Sequence, residues 1–121
     1  IEAKLLVDKF IDQIVIIADQ RKFVSALIIP EYGALEKYAQ ANGISFTSRG
    51  DLCSNGKIHQ MITERIETLQ QQLAHYEQIK RFTLLPKPFT MESGELTNTL
   101  KMRRKVINEH YKNEIEKMYA E

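Results

Sequence analysis

Cysteine is almost missing from this chain: Cys53 stands alone among 121 residues. An internal disulfide is therefore impossible, and no thiolate metal cluster can form within the chain. A reducing cytoplasm suits such usage. Cys53 lies in a polar, Gly-containing stretch with no His near it, and is expected to be an incidental loop thiol. Excess charge is lacking as well. The 17 Lys and Arg residues nearly cancel the 16 Asp and Glu, leaving a net charge of +1, so no global field draws the chain to nucleic acid or to a membrane. No apolar run approaches the ~20 residues of a membrane span, and no signal-peptide pattern is present. Gly-x-Ser-x-Gly, Walker-type and Gly-x-Gly-x-x-Gly sequences are missing too, so a self-contained nucleotide site is not expected. His59, His75 and His110 fall on different elements without the spacing of a zinc site, and no metal site is expected. His75 reads as a surface or edge residue. The chain alone is not expected to be a complete enzyme.

What is present fits one compact α+β domain, with 43% hydrophobic and 27% charged residues. The chain opens inside an apolar pattern at Ile1, with no Ser, Thr, Asp or Asn ahead of it to cap a helix, which reads as a segment of a longer protein. Residues 1 to 12 carry Leu5, Leu6, Val7, Phe10 and Ile11 among charges and predict a short amphipathic helix. The β-branched run Gln13-Ile-Val-Ile-Ile-Ala18 predicts a buried strand. A second strand, Phe23-Val-Ser-Ala-Leu-Ile-Ile29, follows a four-residue polar link and is stopped by Pro30. Glu31 to Asn42 reads as a helix that Gly43 ends.

Residues 43–57 hold three of the five glycines and are expected as an exposed loop. From Ile58 to Lys80, Met61, Ile62, Ile66, Leu69, Leu73, Tyr76 and Ile79 keep three- and four-residue steps, predicting one long helix. Lys80 to Leu85 reads as a third strand closed by Pro86 and Pro88. Phe89 to Thr99 reads as a mobile loop, and Leu100 to Tyr119 as a final helix. The expected architecture is a small sheet of about three strands with helices packed against it.

Chemistry concentrates at the start of that final helix. Lys101, Arg103, Arg104 and Lys105 fall in its first turns, and Glu109, Glu114, Glu116 and Glu121 toward its end. Both groups oppose the helix dipole, which suggests that a negative ligand such as phosphate is drawn to the helix start. The plainer reading is a solvated face laced by pairs such as Lys105 with Glu109 and Lys112 with Glu116. An RNA-binding module with a basic helix is a third reading, weakened because the predicted strands are too apolar to offer exposed stacking aromatics.

Four phrases, in order, carry a resemblance over nearly the whole chain: Ile1-Glu-Ala-Lys-Leu-Leu, Gln20-Arg-Lys-Phe-Val-Ser-Ala-Leu-Ile-Ile-Pro30, His75-Tyr-Glu-Gln-Ile-Lys-Arg-Phe82 and Gly94-Glu-Leu-Thr-Asn-Thr-Leu-Lys-Met-Arg-Arg-Lys105. The sequence resembles the C-terminal lid domain of bacterial long-chain fatty-acid–CoA ligases. These AMP-forming acyl-CoA synthetases belong to the adenylate-forming superfamily, with the luciferases and the adenylation domains of peptide synthetases. The resemblance implies that residues 1–121 are the lid, and that the N-terminal ATP- and acyl-binding domain and the hinge lie outside them. ATP and CoA would be co-substrates of the parent enzyme, Mg²⁺ would sit in the N-terminal domain, and no cofactor is expected on this fragment. Fatty acid and that N-terminal domain are the expected partners, and nucleic acid is not. The parent is expected in the cytoplasm, with peripheral contact at the inner membrane as an option.

Thr97-Asn-Thr-Leu-Lys101 matches the family's Thr-x-x-Gly-Lys pattern except that Leu100 stands where Gly is common. The resemblance makes Lys101 the catalytic lysine of acyl-adenylate formation. Arg103 and Arg104 become candidates to face phosphate. A related ligase acting on another acid remains an alternative, because the residues that measure the acyl chain would lie elsewhere.

Overall fold

The computed structural model describes residues 5–6, 8–18, 22–74 and 78–119. Three strands form one mixed sheet in the order β1 (Ile11–Ile17), β2 (Val24–Pro30), β3 (Ile79–Leu84). β1 and β2 run antiparallel, with Val15 opposite Leu27 and Ile17 opposite Ser25. β2 and β3 run parallel, with Ala26 opposite Phe82 and Ile28 opposite Leu84. Between β2 and β3 lie α1 (Tyr32–Ala41), α2 (Arg49–Ser54) and α3 (Gly56–Leu69); after β3 come α4 (Arg104–His110) and α5 (Lys112–Tyr119). No helix among the described residues is long and apolar enough to cross a membrane.

β2 is the central strand, and Ser25 through Pro30 are all buried, as expected for a strand covered on both faces. Side chains alternate across a sheet, so the contacts assign its two faces. Ser25 donates to the Tyr119 hydroxyl at 2.8 Å, and the Arg81 guanidinium donates to the Met118 carbonyl at 2.7 Å. The face carrying Ser25, Leu27 and Arg81 therefore meets α5. On the opposite face, Phe82 stacks on His59 of α3 with centroids 4.3 Å apart. Ile58, Ile62 and Ile66 of α3 and Ile107, Ile115 and Met118 of α4 and α5 join the same buried cluster as the strands.

Several sequence expectations are corrected. The strand begins at Ile11 rather than Gln13, so Ile11 and Asp12 are not helical. The rest of the helix expected over residues 1–12 falls partly outside the described residues. Of its apolar positions, Leu5 and Phe10 are buried, and Asp8 pairs with Arg65 of α3 at 2.7 Å. Pro30 lies within β2, opposite Ile11 at its end, where a missing N–H is tolerated. Gly43 follows the Asn42 cap of α1 with φ +67°, as expected of a residue that ends a helix.

Residues 43–57 are not all loop: Ser48 caps α2 by accepting from Asp51 N, and the Asn55 side chain accepts from Lys57 N and Ile58 N to open α3. These are ordinary N-cap residues, and the signal was legible. Cys53 therefore sits on a helix, half-buried, with its sulfur 2.9 Å from the Tyr32 hydroxyl. Burial pushes its thiol pKa up, which disfavours the reactive thiolate.

The long helix expected to Lys80 stops at Leu69, and the final helix is two helices broken at Tyr111. The apolar steps continue past Leu69 through Leu73, but Ile79 belongs to β3. The positions expected of His75 and Tyr76 lie outside the described residues. At Tyr111 no Gly or Pro intervenes. The break lets α5 swing Ile115, Met118 and Tyr119 onto the sheet while Tyr111 packs edge-on against Phe89.

The Lys101 loop as candidate functional site

After β3 the chain passes Pro86 and Pro88 and is pinned at Phe89, which is 2% exposed. Phe89 N donates to Gln13 Oε1 at 2.8 Å, and Gln13 Nε2 returns a bond to the Phe89 carbonyl at 3.2 Å. A turn over Met91–Gly94 follows, closed by Gly94 N on the Met91 carbonyl at 3.0 Å, with Gly94 at φ +80°. Leu96 N then donates to the Thr90 carbonyl at 3.1 Å, and Leu96 and Met102 form an isolated antiparallel bridge. The segment expected as a mobile loop thus has no helix or strand, but hydrogen bonds fasten it along its length.

Lys101 sits at the end of the turn that this bridge closes. Thr97 N donates to the Lys101 carbonyl at 2.9 Å, Leu100 N to the Thr97 carbonyl at 2.8 Å, and Lys101 N to Thr97 Oγ1 at 3.1 Å. The Thr-to-Lys spacing therefore has a local reason: the threonine hydroxyl takes the lysine's backbone N–H. Leu100 adopts φ +63° and is 64% exposed. It lies in the left-handed region that glycine enters freely and other L-residues enter at about 1–2 kcal/mol. Gly at this place in the pattern is thus explained by backbone conformation.

The basic residues separate in placement. Lys101 is exposed, and its ammonium makes no ion pair among the described residues. Arg103 is exposed at the N-cap position of α4, where its backbone N donates to the Glu95 carbonyl at 2.8 Å. Arg104 turns back to the sheet and donates to the Ile16 carbonyl at 3.0 Å. Lys101 and Arg103 precede the helix instead of lying in its first turns, which corrects the dipole argument for these two, while Arg104 and Lys105 do open α4. α5 carries Glu114 in its first turn and Lys117 in its last, the favourable arrangement.

Glu95, which the sequence did not single out, and His110, weighed there only as a metal ligand, lie next to this loop. Glu95 is 3% exposed; its Oε2 lies 2.9 Å from His110 Nδ1 and its Oε1 2.8 Å from Ser93 Oγ. Burial, with the Glu95 and Glu114 carboxylates nearby, raises the Tyr111 phenol pKa. No spacing rule links residues 95 and 110, and only the burial of Glu95 and its contact with His110 reveal the pair. Elsewhere, a groove of about 310 Å³ is lined by His59, Thr63, Glu67, Lys80, Phe82 and Lys117 between α3, β3 and α5. Among the described residues no three His, Cys, Asp or Glu side chains gather to hold a metal ion.

The chain is similar to the long-chain-fatty-acid–CoA ligase FadD15 of Mycobacterium tuberculosis, 33% identical over 120 residues that make up 98% of this chain and 20% of that protein. Long chain acyl-CoA synthetase 8 of Arabidopsis thaliana is 33% identical over 125 residues, covering 99% of this chain and 17% of its own. This chain spans about a fifth or less of the length of both relatives. Among solved structures, the adenylation domain of a carboxylate reductase from Mycobacterium chelonae superposes with a TM-score of 0.80 at 27% identity, over 99% of this chain and 17% of that one. The family model for the AMP-binding enzyme C-terminal domain matches residues 1–121. With that match over its full length, the chain belongs to the AMP-binding enzyme C-terminal domain family.

Proposed function

We propose that this domain is the mobile lid of a long-chain fatty-acid–CoA ligase and that Lys101 serves its first half-reaction. In that half-reaction a fatty carboxylate attacks the α-phosphate of ATP, giving acyl-adenylate and pyrophosphate. In the second, after the lid rotates, the CoA thiol attacks the adenylate and releases AMP with the thioester. Two anions must approach each other in the first step, and a cation delivered between them lowers their repulsion. The carrying observation is the exposed Lys101 ammonium, without an ion pair among the described residues, on a turn whose backbone is tied to Thr97. Arg103, exposed two residues on, suits the same anionic surroundings. Arg104 is the weaker candidate, because its guanidinium is engaged at Ile16. The long-chain acid is the substrate class named for the relatives FadD15 and synthetase 8.

The test uses the full-length protein that carries this domain. Lys101→Ala is expected to lower acid-dependent ATP–pyrophosphate exchange by ~10²–10³-fold, while thioester formation from supplied acyl-adenylate survives. An equal fall in both half-reactions would assign Lys101 a structural role.

A further inference from the structure

We infer that Glu95, clamped by His110, is a positioning residue that sets where the Lys101 turn stands relative to α4. The inference rests on the role proposed for Lys101. A carboxylate 3% exposed is costly to bury, and a buried polar contact of this kind is weak evidence for stability, since apolar replacements often serve as well. Its geometry shows what else it does. The Glu95 main-chain carbonyl accepts from Arg103 N at 2.8 Å, just beyond the turn. Its side chain reaches Ser93, just before the turn, and His110, at the last residue of α4. One residue therefore joins the segment entering the turn, the segment leaving it and the far end of the following helix.

The groups around the Glu95 carboxylate are few. Ser93 Oγ lies 2.8 Å from Oε1 and 2.9 Å from the Thr90 carbonyl, so its single proton is divided between two acceptors. His110 is the firm partner of Oε2, and its side chain is 45% exposed. Tyr111 lies close enough for the Glu95 charge to raise its phenol pKa. Of these groups only Tyr111 packs against the apolar cluster that holds the helices on the sheet; Ser93 and His110 lie outside it. Loss of the clamp therefore leaves the domain folded and the turn's own backbone bonds intact, but removes the side-chain tie that fixes the turn against the end of α4. Displacing a reacting group by about 1 Å can cost ~10²-fold in rate, so the effect falls on the half-reaction that needs Lys101 and spares the other.

The experiment compares Glu95→Ala, His110→Ala, the double variant, Lys101→Ala and Tyr32→Phe in the full-length protein. Tyr32→Phe is the stability control: it removes a buried hydrogen bond to the Leu85 carbonyl, outside the Lys101 loop. Glu95→Ala and His110→Ala are each expected to slow ATP–pyrophosphate exchange by about 10- to 100-fold. The double variant should be no worse than the worse single, because either change opens the same clamp. Thioester formation from supplied acyl-adenylate should be unchanged in all three, and Tyr32→Phe should change neither rate.

Exchange that stays intact in Glu95→Ala while Lys101→Ala abolishes it overturns the positioning role and leaves the lysine's role standing. A parallel loss of both half-reactions in Glu95→Ala, matched by lower thermal stability, makes Glu95 structural only and overturns it too. Intact exchange in Lys101→Ala sinks the reading of the lysine itself, and the clamp with it.

Discussion

Gln70 holds Ile79 by both of its main-chain polar groups. Gln70 Oε1 accepts from Ile79 N at 2.9 Å, and Gln70 Nε2 donates to the Ile79 carbonyl at 3.1 Å. Gln70 is 4% exposed and caps the end of α3, its own N bonded to the Ile66 carbonyl. A single side chain thus stops α3 and starts β3 with a mimic of strand pairing.

Gln70→Ala would leave both main-chain groups of Ile79 without this partner. Each buried group left unsatisfied costs about 1–3 kcal/mol, so the variant is expected to lose about 2 kcal/mol or more in urea unfolding of the domain. A loss below about 0.5 kcal/mol, the range of ordinary surface changes, would show that the contact is incidental.

Cys53 should be a slow thiol. Burial raises its pKa, and the Tyr32 hydroxyl only partly offsets this. Alkylation needs the thiolate, so between about pH 7 and 9 the folded domain should react with iodoacetamide more slowly than the urea-unfolded chain. The gap should close only as pH rises above the ordinary thiol range. Equal rates in folded and unfolded samples at neutral pH would contradict the burial argument.

Leu100 carries the strain of a left-handed residue with an exposed side chain. Leu100→Gly should raise the unfolding free energy by up to ~1 kcal/mol, the gain in φ being partly offset by the entropy of glycine in the unfolded chain. A β-branched residue fits this region worse, so Leu100→Val should lower stability by ~1 kcal/mol. Chemical denaturation of the three proteins side by side is the measurement, and the ranking Gly, Leu, Val is the expected result.

Lys101→Ala should leave the domain's own stability within about 0.5 kcal/mol of the parent chain, because the ammonium is exposed and makes no ion pair among the described residues. The isolated domain should also give no heat on titration with micromolar ATP. Binding at that level would mean that a nucleotide site exists within these residues.

Much of this fold was readable from local pattern. The run at Ile14–Ile17 is continuous and β-branched, and that at Val24–Ile29 is largely apolar up to Pro30; both form strands to within two residues of where the pattern put them. Gly43 ends α1 as its conformational freedom suggests. The Thr97-to-Lys101 spacing was legible only as a match to the family pattern, and the structure supplies a local cause for it in the Thr97 hydroxyl and in the φ of Leu100. Ser48 and Asn55 were legible caps that the glycine content of residues 43–57 obscured.

The sequence alone determined the identity of the strands, the end of α1, the lysine to watch and the family resemblance, because each is written in residues close together along the chain. Tertiary structure decided the rest. The parallel pairing of β2 with β3, the stop of α3 at Gln70 and the division of the final helix at Tyr111 each depend on partners from distant segments. So does the meeting of Glu95 with His110, 15 positions apart. Periodicity reports which faces are apolar but not what they meet. A buried carboxylate becomes intelligible only when the group that neutralises its burial is brought beside it by folding.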